Sequence, residues 1–244
     1  MIVDVGERKD GLEADLDDLQ ARTGIPCVFI EASLDTMEEA YRMLGELTGS
    51  AEQASTCADY IGTVLREAAE KTAQIPESER VRVLYAQGEY GTEVLGRGSI
   101  HAEVLDYAGA ENVAVVPELG SRGSSDVSME QIYLWNPDVL ILSPDANFDE
   151  IFDNPMWQPV SAVQSERVYE VPGAPYPWLD RPPSVQRVLG VKWLGNLLYP
   201  NIFDCDMLAE AQQFYRLFYH YELTREEAQA LLAGSASLAS AASR

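Results

Sequence analysis

Three side chains that can bind a ligand or a partner stand together in one proline-rich loop: Trp178, Asp180 and Arg181. An indole offers a flat apolar face, a guanidinium binds anions through several N–H donors, and a carboxylate binds cations. Pro182 and Pro183 follow, and proline fixes the backbone angle φ at a value that suits the first turn of a helix. The loop is therefore stiff, which indicates that it presents these side chains for recognition.

Asp180 has two interpretations at this stage. As a local residue, it pairs with Arg181 or lies at a helix N-terminus, where the helix dipole stabilises an acid. As a functional residue, it is exposed and docks onto a basic partner.

A second group of candidates surrounds a predicted strand at residues 81–86 and a glycine-rich segment at residues 87–98. Ligands of open α/β sheets bind at the carboxyl ends of the strands, so this segment is predicted to form a flexible loop at the mouth of a cleft. Tyr85, Tyr90 and Arg97 flank the loop, where they can stack on a planar ligand or bind an anionic one.

The chain has two histidines, His101 and His220. His101 lies near the start of the helix predicted after the glycine-rich segment, which makes it a candidate pocket residue. His220 lies in an aromatic helix and is predicted to have a core or surface role. Neither has a second His, Cys or carboxylate at metal-ligand spacing, so the sequence predicts no protein-held metal and no cofactor.

The usual sequence signatures of an enzyme are missing. There is no GxSxG nucleophile elbow, no GxxxxGK[ST] phosphate loop and no CxxC pair. Cys27 and Cys57 are predicted core residues. The three cysteines, which include Cys205, allow one disulfide, and their spacing neither requires nor excludes it. We therefore predict a binding protein. The alternative is an α/β enzyme that acts on a small anionic metabolite in the same cleft, which would need a clustered base and nucleophile.

The charge of the chain argues against two classes of partner. Its 40 acidic and 17 basic residues give a formal net charge of −23 at pH 7. A surface this acidic repels nucleic acid and anionic membranes, so neither is an expected partner.

The elements that would position these side chains alternate between strand and helix, which predicts an α/β fold with a mostly parallel sheet. A helical pattern over residues 51–74 predicts a helix roughly 36 Å long. Such a helix either joins two lobes as a spine or lies on the surface. Other strands are predicted at residues 2–5, 26–30, 112–116, 139–142 and 168–171, and other helices at 12–22, 35–47, 99–107, 148–153 and 203–221.

We predict four parts of the chain. They are a remnant of an N-terminal α/β lobe (1–50), an interlobe spine helix (51–75), a C-terminal α/β lobe (76–233) and a disordered tail (234–244). The chain enters a predicted buried strand directly after Met1, without a signal peptide. Because a lobe with two strands cannot cover its own sheet, we expect the beginning of the first lobe to be missing.

Several segments, in their order and spacing, resemble the substrate-binding proteins of ABC importers, in the group that handles iron–siderophores, haem, cobalamin and some oxyanions. The segments are DLDDLQARTGIPCVFIE, MLGELTG, VSMEQIYLWNPDVLIL, MWQPVSAVQSERVYEVP, WLDRPPS and WLGNLLYP. This resemblance implies two α/β lobes joined by a single long helix, with the ligand in the cleft between them. It also implies an extracytoplasmic protein, either periplasmic or anchored as a lipoprotein.

The resemblance further implies partners. The solute would be an iron complex (a siderophore, haem or corrinoid) held by aromatic side chains, or alternatively a molybdate or tungstate oxyanion held by arginines and backbone N–H groups. The protein partner would be the membrane permease, and the binding protein itself a monomer. Members of this family carry, on each lobe, an acidic residue that pairs with arginines of the permease. By this resemblance the acidic residue of the second lobe corresponds to Asp180, at a position where the family often has glutamate.

We therefore expect a ligand cleft lined by six residues and no catalytic residue. The six are Tyr85, Tyr90, Arg97, His101, Trp178 and Arg181. Of these, His101 together with a tyrosine can contact bound iron. A further alternative is a truncated remnant with an interaction function only, which the upstream reading frame would distinguish.

Overall fold

The computed structural model describes residues 1–116 and 124–233 of the 244-residue chain, with the backbone alone for residues 148–150. The tail predicted at residues 234–244 lies outside the described residues. The strands are β1 (Ile2–Gly6), β2 (Cys27–Glu31), β3 (Arg82–Gln87), β4 (Glu93–Leu95), β5 (Glu111–Asn112), β6 (Ser124–Asp126), β7 (Val139–Leu142) and β8 (Val168–Glu170). The helices are α1 (Leu12–Thr23), α2 (Met37–Thr48), α3 (Ala51–Thr72), α4 (Glu103–Tyr107), α5 (Met129–Trp135), α6 (Phe148–Asp153), α7 (Ser161–Gln164), α8 (Gln186–Leu198), α9 (Pro200–Phe203), α10 (Met207–Tyr219) and α11 (Arg225–Ala233), with 3₁₀ turns at Glu77–Glu79 and Ile100–Ala102.

The described strands form two separate sheets. The first pairs β1 with β2 in parallel. The second has the order β6-β4-β3-β7-β8, with β5 also paired to β3. Strands β3, β5, β7 and β8 run parallel, so their carboxyl ends point toward one edge, while β4 is antiparallel to β3 and β6. The prediction of an α/β fold with a mostly parallel sheet is confirmed.

Strand β4 corrects the flexible loop predicted at residues 87–98. After β3 the chain turns back and pairs with itself, so that Gln87 lies opposite Glu93. Gly88 and Gly91 adopt φ angles of 72° and 69°, which a residue without a Cβ reaches at little cost. The glycines therefore make a tight reversal between paired strands, and this reversal places Glu93 at the carboxyl end of β3.

Helix α3 confirms the predicted long helix, although it ends at Thr72, slightly before the predicted end. It packs chiefly against α2 and α8. Its buried residues Ile61, Val64 and Leu65 lie in one hydrophobic core with Val83 of β3. Helix α3 thus covers a face of the second sheet and also holds α2, which follows the first sheet.

The first sheet has a small core in which Ile30, Ala32 and Ala40 are buried. The sequence predicts a buried β1, and this prediction is wrong: its residues are half-buried or exposed, and Val5 is 45% exposed. The physical reason is that α1 contributes no buried residue, so α1 shields little of the strand pair.

The loop between β8 and α8 is fixed against α8. Trp178 is buried in the main core, and its carbonyl oxygen approaches Gly190 so closely that a Cβ on this glycine would lie 2.2 Å away. Only glycine allows that approach. Helix α8 begins at Gln186, which is later than the expected junction at Pro182 and Pro183.

Candidate ligand-binding site

Polar side chains from several segments meet near the carboxyl edge of the second sheet. Strand alternation places Tyr85 and Gln87 on the same face of β3, and Tyr85 belongs to the core formed with α3 and α8. The turn back to β4, the residues after β7, the 3₁₀ turn Ile100–Ala102 and the loop before α8 supply the others. We name these side chains the polar cluster: Tyr85, Gln87, Glu93, His101, Ser143, Asp145, Asp180 and Arg181.

An imidazole–carboxylate pair lies within the polar cluster. Nδ1 of His101 is 2.6 Å from Oδ1 of Asp180, whose side chain is 0% exposed, whereas that of His101 is 19% exposed. An ionised carboxylate only accepts hydrogen bonds, so Nδ1 is the ring atom that donates to Asp180, and Nε2 is the ring atom that this pair leaves for another partner. The His101 amide donates to Oγ of Ser99, which caps the turn and holds the histidine backbone in place.

Arg181 connects three acids of the cluster. Its guanidinium Nη2 donates to Oε1 of Glu93 at 2.6 Å, Nη1 lies 3.6 Å from Asp145, and Nε lies 3.9 Å from the second oxygen of Asp180. Ser124 also donates to Glu93, at 2.6 Å. Hydrogen bonds from Ser124 and Arg181 lower the pKa of the Glu93 carboxyl against the opposing effect of burial. The guanidinium is therefore already bound by acids.

Among the described residues, four buried polar atoms of the cluster make no hydrogen bond of ordinary geometry: the Tyr85 hydroxyl, both amide atoms of Gln87 and Oδ2 of Asp180. Burial, and then the charges of Asp180 and Asp145, raise the pKa of Tyr85, whereas looser contacts of its hydroxyl with Gln87 and Ser143 lower it. Buried polar groups are normally paired, so several unpaired ones in one place need an explanation. A ligand group or a bound water that supplies the absent partners would provide it.

The structure brings four of the seven predicted site residues into this cluster and corrects what was expected of Asp180 and Trp178. Asp180 is not an exposed docking acid, because the loop folds back onto the sheet and encloses its carboxylate. Its nearest partner is His101, ahead of the expected Arg181. Trp178 is 1% exposed and belongs to the main core, so its indole presents no face to a solute.

The two remaining predicted residues lie apart from the polar contacts just described. Tyr90 is 57% exposed in the turn between β3 and β4, where its ring is accessible. Arg97 donates from Nε to the carbonyl of Asn112 at 2.8 Å and pairs with Glu111 at 3.2 Å. Both partners belong to β5, which pairs with the amino-terminal half of β3. The Arg97 guanidinium therefore points away from the cluster.

Sequence reasoning missed Gln87, Glu93, Ser143 and Asp145. The signal that could have found two of them is a polar residue directly after a buried strand, since Ser143 follows β7 and Asp145 lies two residues further on. It also missed Arg187, a fully buried arginine near the start of α8. A charged residue in a mostly apolar helix, such as Arg187 in α8, indicates a buried ion pair.

Within residues 1–116 and 124–233, no group of three His, Cys, Asp or Glu side chains is arranged to hold a metal ion. Over the same ranges, none of the helices combines the length and the apolar character needed to cross a membrane.

Comparison with known proteins identifies the family. The family model described as periplasmic binding protein matches residues 6–175, which is more than half of the chain. An ABC transporter solute-binding protein from Sulfurospirillum deleyianum is 32% identical, with a TM-score of 0.86 over 95% of this chain and 72% of its own. A periplasmic solute-binding protein from Veillonella parvula is 29% identical, with a TM-score of 0.76 over 97% of this chain and 70% of its own.

A third structure, the molybdate-binding protein MolA of Haemophilus influenzae, is 20% identical, with a TM-score of 0.69 over 91% of this chain and 73% of its own. At this identity the likeness shows the fold alone. No match was found among curated proteins. The family is one of transport proteins that bind solutes outside the cytoplasm and are not enzymes. On the family match and the similarity to the Sulfurospirillum protein, this chain belongs to the periplasmic binding protein family, with the two-lobed α/β fold of the solute-binding proteins of ABC transporters.

Proposed function

We propose that this protein captures an iron complex (a ferric siderophore, haem or a corrinoid) and delivers it to the membrane permease of an ABC importer. The observation that carries the proposal is the contact between His101 and Asp180. A histidine that binds a metal commonly donates its other ring N–H to a carboxylate, which fixes the ring and makes the free nitrogen a better ligand. The same arrangement here leaves Nε2 of His101 free to contact iron or its chelator.

The neighbouring side chains suit a large, partly aromatic solute. Tyr90 is 57% exposed in the turn between β3 and β4, where its ring can stack on a planar macrocycle. Tyr85 and Gln87 are fully buried, and Arg181 is held by Glu93, so we assign these residues, together with Asp180, a supporting role around His101. We assign direct ligand binding to Tyr90 and His101.

The organisation of the chain in this proposal follows the expected boundaries. Residues 1–50 belong to the first lobe, residues 51–75 form the spine helix, and residues 76–233 form the second lobe. The mature protein is a monomer in the periplasm or on a lipid anchor. Asp180 is not assigned to the permease contact, because a buried carboxylate cannot meet a partner surface.

The charge arrangement disfavours the oxyanion alternative. A molybdate or tungstate ion would need the Arg181 guanidinium, which is bound to Glu93 and lies 3.6 Å from Asp145. An oxyanion would have to displace these acids, or approach them at a cost in like-charge repulsion.

Thermal-shift and calorimetric titrations test the proposal. The probes are haemin, a ferric hydroxamate siderophore, cyanocobalamin, molybdate and tungstate, each added to the purified chain. We expect stabilisation by at least one of the first three, and a loss of about tenfold or more in its affinity in His101→Gln. His220→Gln is the matched control, since His220 hydrogen-bonds Gln53 on another part of the surface. Stabilisation by molybdate or tungstate alone, or by none of the five, overturns the proposal.

A further inference from the structure

We infer that Arg187 is a positioning residue that ties the first lobe to the segment carrying His101. This role rests on the proposed binding site at His101, but not on which solute is bound there. A single guanidinium contacts residues of both predicted lobes.

The contacts of Arg187 are short and fully enclosed. The side chain is 0% exposed, and Nη1 donates to the carbonyl of Ile100 at 2.8 Å and to Oε2 of Glu103 at 2.8 Å. Nη2 donates to the carbonyl of Ala32 at 3.3 Å. The same Oε2 of Glu103 accepts a hydrogen bond from the Leu34 amide at 2.9 Å.

These partners belong to two different parts of the fold. Ala32 and Leu34 directly follow β2 of the first sheet. Ile100 and Glu103 flank His101 in the 3₁₀ turn and at the start of α4. The Arg187–Glu103 pair therefore fixes the end of β2 against the turn that presents the imidazole to Asp180. A shift of either partner would move His101 relative to the first lobe.

Arginine is specifically suited to this position. Its planar guanidinium reaches four acceptors at once, including the Ser184 carbonyl at 3.4 Å from Nε, whereas a lysine ammonium is a compact charge that cannot span them in the same geometry. Burial lowers the pKa of Arg187, and the charges of Glu103 and then Asp180 oppose that shift. The guanidinium remains charged, so removing its partner leaves an unpaired charge in the interior. The connection is consequently sensitive to either residue.

Nuclear magnetic resonance tests the inference without any ligand, because the chain has only two histidines. In Arg187→Lys we expect the ring signals of His101 to shift while those of His220 stay unchanged. We also expect amide hydrogen exchange at Leu34 to become about tenfold faster or more. Arg66→Lys is the control, since Arg66 is 63% exposed and pairs with Glu38 on the surface.

Glu103→Gln is the second variant, and it tests the inference by itself if Arg187→Lys does not fold. This substitution removes the Glu103 carboxylate charge but keeps the size of the side chain. We again expect shifted His101 signals, unchanged His220 signals and faster amide exchange at Leu34. Unchanged His101 signals and Leu34 exchange in the folded variants would overturn the inference. Equal changes at both histidines would also overturn it, because they would indicate general loosening. None of these results bears on which solute binds, so this failure is distinguishable from failure of the proposed function.

Discussion

Asp180 and His101 are 79 residues apart in the sequence, yet Oδ1 of Asp180 lies 2.6 Å from Nδ1 of His101. Among the described residues, the second oxygen of Asp180 has no hydrogen-bond partner, and Nε of Arg181 is 3.9 Å from it. The imidazole thus supplies the short hydrogen bond to a fully buried carboxyl group. Each residue fixes the other, and the free side of the ring faces away from the carboxylate.

Replacing Asp180 by asparagine tests this dependence. In Asp180→Asn we expect the affinity for the solute that stabilises the wild-type chain to fall about 10–100-fold, because a neutral amide is a weaker acceptor for the ring N–H than a carboxylate. Isothermal titration calorimetry measures the affinity. Asp59→Asn is the control, since Asp59 is 68% exposed and pairs with Arg42 on the surface. Equal losses in both variants would contradict the assignment.

Tyr85→Phe removes a buried hydroxyl that makes no hydrogen bond of ordinary geometry with the described residues, although it approaches Gln87 and Ser143. We expect the free energy of unfolding to change by less than about 1 kcal/mol, because no well-formed hydrogen bond is lost. Tyr199→Phe is the matched control: its hydroxyl accepts from the Val81 amide at 2.7 Å and donates to the Gly109 carbonyl at 2.9 Å. The control should lose about 1–3 kcal/mol in urea unfolding. A comparable loss in Tyr85→Phe would show that its hydroxyl is paired.

Glu93→Gln should change how stability depends on pH. Hydrogen bonds from Ser124 and Arg181 lower the pKa of Glu93 from its ordinary value of 4.5. The ionised carboxylate therefore stabilises the fold above that value, and the contribution is lost as the pH falls through the lowered pKa. We expect the variant to be less stable at neutral pH by no more than about 1 kcal/mol, because the pair is partly exposed.

The difference between Glu93→Gln and the wild type should narrow below the ordinary pKa. Urea unfolding at neutral pH and at successively lower pH values measures it. A difference that stays constant across that range would mean that the ionisation of Glu93 is not coupled to folding.

Gly190→Ala should disturb the loop that carries Asp180. A Cβ at this position would lie 2.2 Å from the carbonyl oxygen of Trp178. We expect a loss of about 1–3 kcal/mol in the free energy of unfolding, because backbone atoms must move apart. Gly6→Ala is the control, since a Cβ on Gly6 would have no heavy atom within 4 Å and the expected change is within about 0.5 kcal/mol. Similar effects in both variants would argue against a close loop–helix contact.

The sequence predicts the alternation of strands and helices well, because hydrophobic periodicity and helix-capping residues are properties of short segments. Helix α3 follows from an uninterrupted helical pattern over residues 51–74. Gly49 ends α2 with a φ of 73°, a conformation typical of glycine after a helix. Thr224 and Glu227 cap α11 reciprocally: the Thr224 amide donates to Glu227, and the Glu227 amide donates to Thr224. Each of these features depends on residues within a few positions of one another.

The burial of the site residues depends on contacts between distant parts of the chain, so the sequence was less informative about which of these residues are exposed. Trp178 has the residue type of a recognition side chain, but close packing of its loop on Gly190 encloses it. Arg97 lies in the predicted glycine-rich loop, but that segment contains the paired strand β4, and Arg97, two residues after this strand, pairs with Glu111 instead. Such outcomes depend on which segments pair across long separations, and charge or spacing along the chain does not encode them directly.

Helix α3 has a mechanical consequence for uptake. Ile61, Val64 and Leu65 share a hydrophobic core with Val83, so the rod cannot tilt away from the second sheet without wetting that core. We therefore expect α3 and the second sheet to move together as one rigid body, which confines any hinge motion needed for uptake to segments outside this core.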